Sequence, residues 1–229
     1  MNRFELVVFD WDGTLMDSGA RIVTAVQRAI EVSRLPPRSP EQIRDIIGLG
    51  MREAVAALFP DTGARARQRL LASYQEAFVR AVAERDATVF PGVANTLRAL
   101  EAEGRMLAIA TGKSRTGLQR DLERAGLGHH FVASRTVDEA PSKPHPAMLE
   151  AVMQLCDVEP ASTVLVGDTL YDLEMAARAG VPALGVAWGV QPAERLAAVA
   201  PLGVIDGIDA LAQRLQAWES AAGSASPAQ

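Results

Sequence analysis

Two hydrophobic patterns divide the chain. Leu6-Val7-Val8-Phe9, Met106 to Ala110, Thr163 to Val166 and Ala183 to Ala187 are short, nearly continuous apolar runs, with Phe131 to Ala133 and Gly203 to Ile205 as shorter ones. Runs of this kind, bounded by polar or turn residues, predict strands buried on both faces of a parallel sheet. Helical patterning fills the intervals, at Val93 to Ala102, Ser114 to Ala125, Pro146 to Leu155, Leu170 to Ala179, Glu194 to Ala198 and Ile208 to Trp218. Gly104, Gly126 and Gly180 close three of these segments. Strands alternating with helices imply right-handed crossovers, so the expected fold class is α/β, a parallel sheet with helices on both faces.

From Ser18 to about Thr88 the alternation gives way to helix alone. Ile22, Val23, Val26 and Ile30 form a stripe of helical period that Ser18 can cap. After Pro36-Pro37, the segment Ser39-Pro40-Glu41-Gln42 combines an N-cap, a proline at the first helical position and a capping-box Gln. That helix is expected to run to Gly48-Leu49-Gly50, a second from Met51 to before Pro60, and a third over Ala64 to Glu84, carrying Leu70, Leu71, Tyr74, Phe78 and Val82. Val89-Phe90-Pro91-Gly92-Val93 punctuates the return. The expected organisation is a Rossmann-like core of residues 1–14 and 91–220, a helical insertion over 15–90, and a disordered tail of small polar residues over 221–229.

Composition narrows the function classes. The 229 residues are 48% hydrophobic and 22% charged, as in ordinary globular proteins. A formal net charge of −5 argues against nucleic-acid or anionic-membrane partners, which favour a basic face. No run approaches the roughly 18 apolar residues of a membrane span, and a cytoplasmic protein is expected. Cys156 is the only cysteine, which excludes an intramolecular disulfide and a cysteine-based zinc site.

The candidate chemistry starts at Asp10 and Asp12, just past the first apolar run and before Gly13. In open α/β sheets, ligands bind beyond the carboxyl ends of strands. Two carboxylates about 4 Å apart at an effective dielectric near 20 repel by about 4 kcal/mol, so an ionised pair calls for a cation.

Asp10-Trp11-Asp12-Gly13-Thr14 resembles the first motif of the haloacid dehalogenase superfamily of phosphohydrolases. Three further stretches resemble that family's other motifs, in its order: Leu107 to Ala110 with Thr111-Gly112-Lys113, Lys143-Pro144-His145-Pro146, and Val164-Leu165-Val166-Gly167-Asp168 with Asp172 beyond. The resemblance implies a magnesium-dependent phosphatase acting on a small phosphomonoester through an aspartyl-phosphate. Asp10 would be the nucleophile and Asp12 the general acid and base. Asp10, the Asp12 carbonyl and Asp168 would hold Mg2+, with Asp172 binding it through water or orienting Lys143. Thr111, the Gly112 amide and Lys143 would bind the phosphoryl group. Trp11 and the histidines His129, His130 and His145 read as packing, surface or loop-supporting residues.

The insertion resembles the family's cap, which closes over the site and supplies substrate contacts. The Gly48-Leu49-Gly50-Met51-Arg52 loop is expected to point into the cleft, with Gly50, Arg52 and, from the first helix, Arg21 as specificity candidates. Phosphoglycolate phosphatases are the members most resembled. A phosphomutase or pyrophosphatase of the family, or a non-enzymatic phospho-acceptor module, are the alternatives, and the chain is expected as a monomer or homodimer.

Overall fold

The computed structural model describes residues 4–84 and 88–224. Six parallel strands, β1 (Leu6–Phe9), β2 (Met106–Thr111), β3 (Ala133–Thr136), β4 (Thr163–Gly167), β5 (Ala183–Val186) and β6 (Val204–Ile205), lie in the order β3-β2-β1-β4-β5-β6. Helices α1 (Gly19–Val32), α2 (Pro40–Arg44), α3 (Met51–Leu58) and α4 (Ala64–Glu84) form the insertion between β1 and β2. The remaining helices are α5 (Val93–Ala102), α6 (Arg115–Ala125), α7 (Ala147–Cys156), α8 (Leu170–Arg178), α9 (Ala193–Ala197) and α10 (Leu211–Ser224).

β1 is apolar throughout because both its faces are covered. Alternation sends Val7 and Phe9 to one side, where they meet Leu97 and Leu100 of α5, Leu118 of α6 and Leu211 of α10. Leu6 and Val8 face the other side, against Leu149 and Val152 of α7 and Leu173 and Ala176 of α8. Trp11 is fully buried in the first of these layers, its ring edge-on to Phe131, as packing predicts. Arg105, at the entry to β2, buries its guanidinium to donate to the Phe4 carbonyl at 2.8 Å and to Glu219 of α10 at 2.7 Å. The last helix is thereby tied to the sheet.

The insertion has its own apolar cluster. Ile22, Val26 and Ile30 of α1 pack with Ile43, Val55, Leu58, Phe59 and Leu70. The capping box at Ser39 forms as expected, with Gln42 donating its backbone N–H to the serine and accepting from Ser39 N–H.

Several expectations need correction. α2 stops at Arg44, because the chain then tightens into turns in which Ile46 and Ile47 donate to the carbonyls of Ile43 and Arg44. β3 begins at Ala133 instead of ending there: Val132 is 63% exposed, and pairing with β2 starts with Ala133 opposite Ala108. α10 continues through Ala221 to Ser224, past the start of the expected tail, while 225–229 lie outside the described residues. His130 packs, one of the roles expected of it: it is buried, with its Nδ1 2.7 Å from Glu101. No helix among the described residues is long and apolar enough to cross a membrane.

Candidate active site

The strand order places the predicted residues together. β1 lies between β2 and β4, with Phe9 level with Ile109 and Val166. Asp10 therefore leaves the sheet beside Thr111, the last residue of β2, and Asp168, the first beyond β4. The β1–β4 junction is where the strand order reverses direction, the crevice in which open α/β sheets bind ligands. Asp10 N–H donates to the Val166 carbonyl at 3.0 Å, which fixes the start of the loop.

Lys143 enters this crevice from the loop before α7, across a cis peptide bond to Pro144. Its ammonium is fully buried, 2.8 Å from Asp10 Oδ1 and 2.5 Å from Asp172 Oδ1. Asp172 Oδ2 accepts from the hydroxyl and N–H of Thr169 in a capping box that starts α8. Both Asp172 oxygens are thus engaged, and of the two roles expected for it, orienting Lys143 is the one the contacts favour. Asp168 accepts from the Thr14 hydroxyl at 2.7 Å and from Val190 N–H at 2.9 Å. Gly13 sits against it at φ +91, where a Cβ would collide with the Asp168 carboxylate. That position thus needs glycine for both backbone shape and clearance.

Asp10 is 1% exposed, with Oδ1 paired to the Lys143 ammonium at 2.8 Å and Oδ2 without a hydrogen-bond partner. Burial pushes its carboxyl up to about 7, against the pull of the Lys143 ammonium. Burial, with Asp10 and Asp172 nearby, also raises Asp168 well above the ordinary carboxylate value. Oxygens of Asp10, Asp168 and Asp172 come within 4.8 Å of one another. An unpartnered Asp10 Oδ2 in an all-oxygen donor set fits a hard divalent cation such as Mg2+.

Asp12 lies in a second cluster. Ser18 donates to its Oδ1 at 2.6 Å, and the Lys113 ammonium lies 3.0 Å from both carboxylate oxygens. Ser18 hence serves Asp12 and makes no side-chain cap on α1. Burial would raise the Asp12 carboxyl, but Lys113 and Ser18 outweigh it and hold the pKa below its ordinary value. Lys113 also reaches Asp121 of α6 at 3.0 Å, and Arg21 of α1 approaches Asp121 to 3.8 Å.

The insertion meets the core at Gly112. A Cβ there would lie 2.8 Å from the Leu49 carbonyl oxygen and closer still to that of Gly48. Gly50 N–H donates to Ser142 Oγ at 2.7 Å, and Tyr171 donates its hydroxyl to the Asp45 carbonyl at 3.0 Å. Of the three specificity candidates, Arg21 is buried beside the Asp12 cluster. Gly50 is held against the loop leading to Lys143, and Arg52 is exposed with no ion pair among the described residues. His145 accepts from Ala147 N–H, supporting the turn into α7.

A family model described as haloacid dehalogenase-like hydrolase matches residues 7–186. The chain belongs to this family. Among similar proteins of this haloacid dehalogenase-like hydrolase is "Probable phosphatase IndB" of Dickeya dadantii (strain 3937), 36% identical over 88% of this chain and 89% of the relative. "Phosphoglycolate phosphatase" of Pseudomonas putida is 33% identical over 90% of this chain and 78% of the relative. The crystal structure of "a predicted phosphoglycolate phosphatase" from Haemophilus somnus 129pt superposes with a TM-score of 0.80 at 25% identity, covering 93% of this chain and 98% of that one. The fold of this hydrolase is thus the family's α/β fold. Lys113, Ser18, Asp121 and Phe78 are the site residues that sequence reading did not single out. Lys113 follows Thr111 by two positions, a usable signal, whereas nothing local marks Asp121 on α6 or Phe78 on α4. The Thr169-Leu170-Tyr171-Asp172 spacing of a capping box was also present in the sequence.

Proposed function

We propose that this hydrolase is a magnesium-dependent phosphatase that cleaves a small phosphomonoester through an aspartyl-phosphate on Asp10. The reading is carried by the Asp10 carboxylate, buried at the strand-order reversal with Oδ1 2.8 Å from the Lys143 ammonium and Oδ2 unpartnered. A nucleophile must be free to attack, and the unpartnered Oδ2 of Asp10 is free. Asp10, Asp168 and the Asp12 carbonyl would hold Mg2+. When bound, the ion neutralises charge on the phosphoryl oxygens and on Asp10.

The chain's own groups do the rest. Lys143, fixed by Asp172, offsets the negative charge that gathers as Asp10 attacks phosphorus. The Thr111 hydroxyl and Gly112 N–H receive the phosphoryl oxygens at the head of the loop before α6. Asp12 gives a proton to the departing ester oxygen and, in the second displacement, takes one from the attacking water. The contact with Lys113 favours the ionised form that the second role requires. Protonating the leaving group therefore requires Lys113 to loosen its hold on Asp12. The insertion acts as a cap over residues 15–90, excluding water that does not react. Relatives named phosphoglycolate phosphatase support a small, anionic ester as substrate.

Phosphate release from a panel of small esters, sugar phosphates and pyrophosphate, with magnesium or chelator, tests the reading. One ester should turn over far faster than the rest, with chelator and Asp10→Asn each abolishing release. Activity surviving in Asp10→Asn would overturn the assignment of the nucleophile.

A further inference from the structure

The cluster beyond Asp12 carries more positive charge than its own carboxylates cancel. Among the described residues, Lys113, Arg21 and Arg120 converge on Asp12 and Asp121, three cations against two anions. The ring of Phe78, on α4, lies over all three, with the cationic centres 5.1 to 5.6 Å from its centroid. The side chains of Lys113 and Arg21 are each 6% exposed. Arg21 Nε and Nη2 donate no hydrogen bond, and Nη2 stops 3.8 Å from the Asp121 oxygen. Buried guanidinium donors without acceptors are costly, unless a further acceptor takes its place beside them in the working state.

We propose that Arg21 and Lys113, held by Asp121 and roofed by Phe78, are the seat for a carboxylate carried by the substrate. This deepens the phosphatase reading and rests on it. One surplus charge matches a carboxylate monoanion and not a second phosphoryl dianion. Lys113 is 3.0 Å from Asp12, the group assigned to the leaving oxygen, so the carboxylate must sit close to the ester oxygen. A short hydroxy acid meets that requirement and a long one does not. The roof comes from the insertion and the floor from α6, so the seat is complete only when the two halves meet. Among the basic residues of the insertion, Arg21 sets selectivity and exposed Arg52 does not.

Binding of three non-hydrolysable phosphonates to the magnesium-loaded protein, measured by calorimetry, tests this independently of turnover. Phosphonoacetate carries the carboxylate, ethylphosphonate has a neutral tail, and methylenebisphosphonate replaces the carboxylate by a second phosphoryl group. Wild type is expected to favour phosphonoacetate over ethylphosphonate at least tenfold, Arg21→Gln to lose most of that ratio, and Arg21→Lys to keep part of it. Thermal melts establish that each variant is folded. A wild type that does not discriminate, a folded Arg21→Gln that keeps the ratio, or a preference for methylenebisphosphonate overturns the proposal. Hydrolysis of p-nitrophenyl phosphate reports separately on the phosphatase reading: its absence sinks that reading while the phosphonate ratio still decides the seat.

Discussion

Replacing the proposed nucleophile should stabilise the metal-free chain. Asp10 is 1% exposed and its carboxyl is raised from 3.8 to about 7 by burial. A carboxyl whose folded pKa lies above its unfolded value holds its proton more tightly when folded. Stability is therefore lost as pH rises from the unfolded value toward the folded one, and the loss is full above about 7. A rise from 3.8 to about 7 sets a ceiling of about 4 kcal/mol, of which about 2 kcal/mol accrues between about pH 5.5 and about pH 8. Asn keeps the shape of Asp10 without the charge, and Lys143 keeps Asp172 as its partner. In chelator, Asp10→Asn should melt above wild type at pH 8, with the gap about 4–8 °C narrower at pH 5.5. Magnesium should raise wild type more than the variant, and more at pH 8 than at pH 5.5, because protons compete for the same oxygens. The assay is a thermal melt at the two pH values with and without metal. Identical melts for the two proteins at both pH values would refute a buried Asp10 whose ionised form Lys143 compensates only in part.

Lys143→Met should leave Asp10, Asp168 and Asp172 facing one another without their cation, costing about 3–5 kcal/mol of stability by thermal melt and at least a hundredfold in kcat. Magnesium should recover part of the stability and little of the rate. Gly112→Ala would put a methyl against the carbonyls of Gly48 and Leu49, so kcat/KM should fall by about tenfold to a hundredfold and the melting temperature should drop, reflecting about 1–3 kcal/mol of overpacking. Arg105→Ala, far from the site, should cost about 3 kcal/mol by removing the buried guanidinium that ties Glu219 and the Phe4 carbonyl to β2, with kcat unchanged. A fall in kcat there would mean that α10 reaches the chemistry by some route other than stability.

The sheet and the meeting of Asp10, Asp168 and Lys143 at its corner were legible because they follow from local pattern. Leu6 to Phe9 could be read as a doubly covered strand, and that fixed where Asp10 must emerge. The second cluster was not legible. Asp121 lies on a helix whose other residues are largely polar, and only the folding of α4 over α6 brings Phe78 above it. Ser18 looked like a helix cap, since serine before an apolar stripe usually is one, but its hydroxyl turns back to Asp12. Boundary errors had the same origin. Turns after Arg44 and the late start of β3 depend on what the chain meets across the fold, which periodicity does not carry.

At Gly112 the two halves of the molecule touch through main chain alone, carbonyls on one side and a residue without a side chain on the other. Such a seam cannot be adjusted by exchanging side chains, as the polar pins at Ser142 and Tyr171 can. Side chains on the helices of the insertion can then vary without changing how far that layer comes down. The height of the layer above the Asp10 corner is set by main chain, and its lining by side chains, so the two can be altered independently.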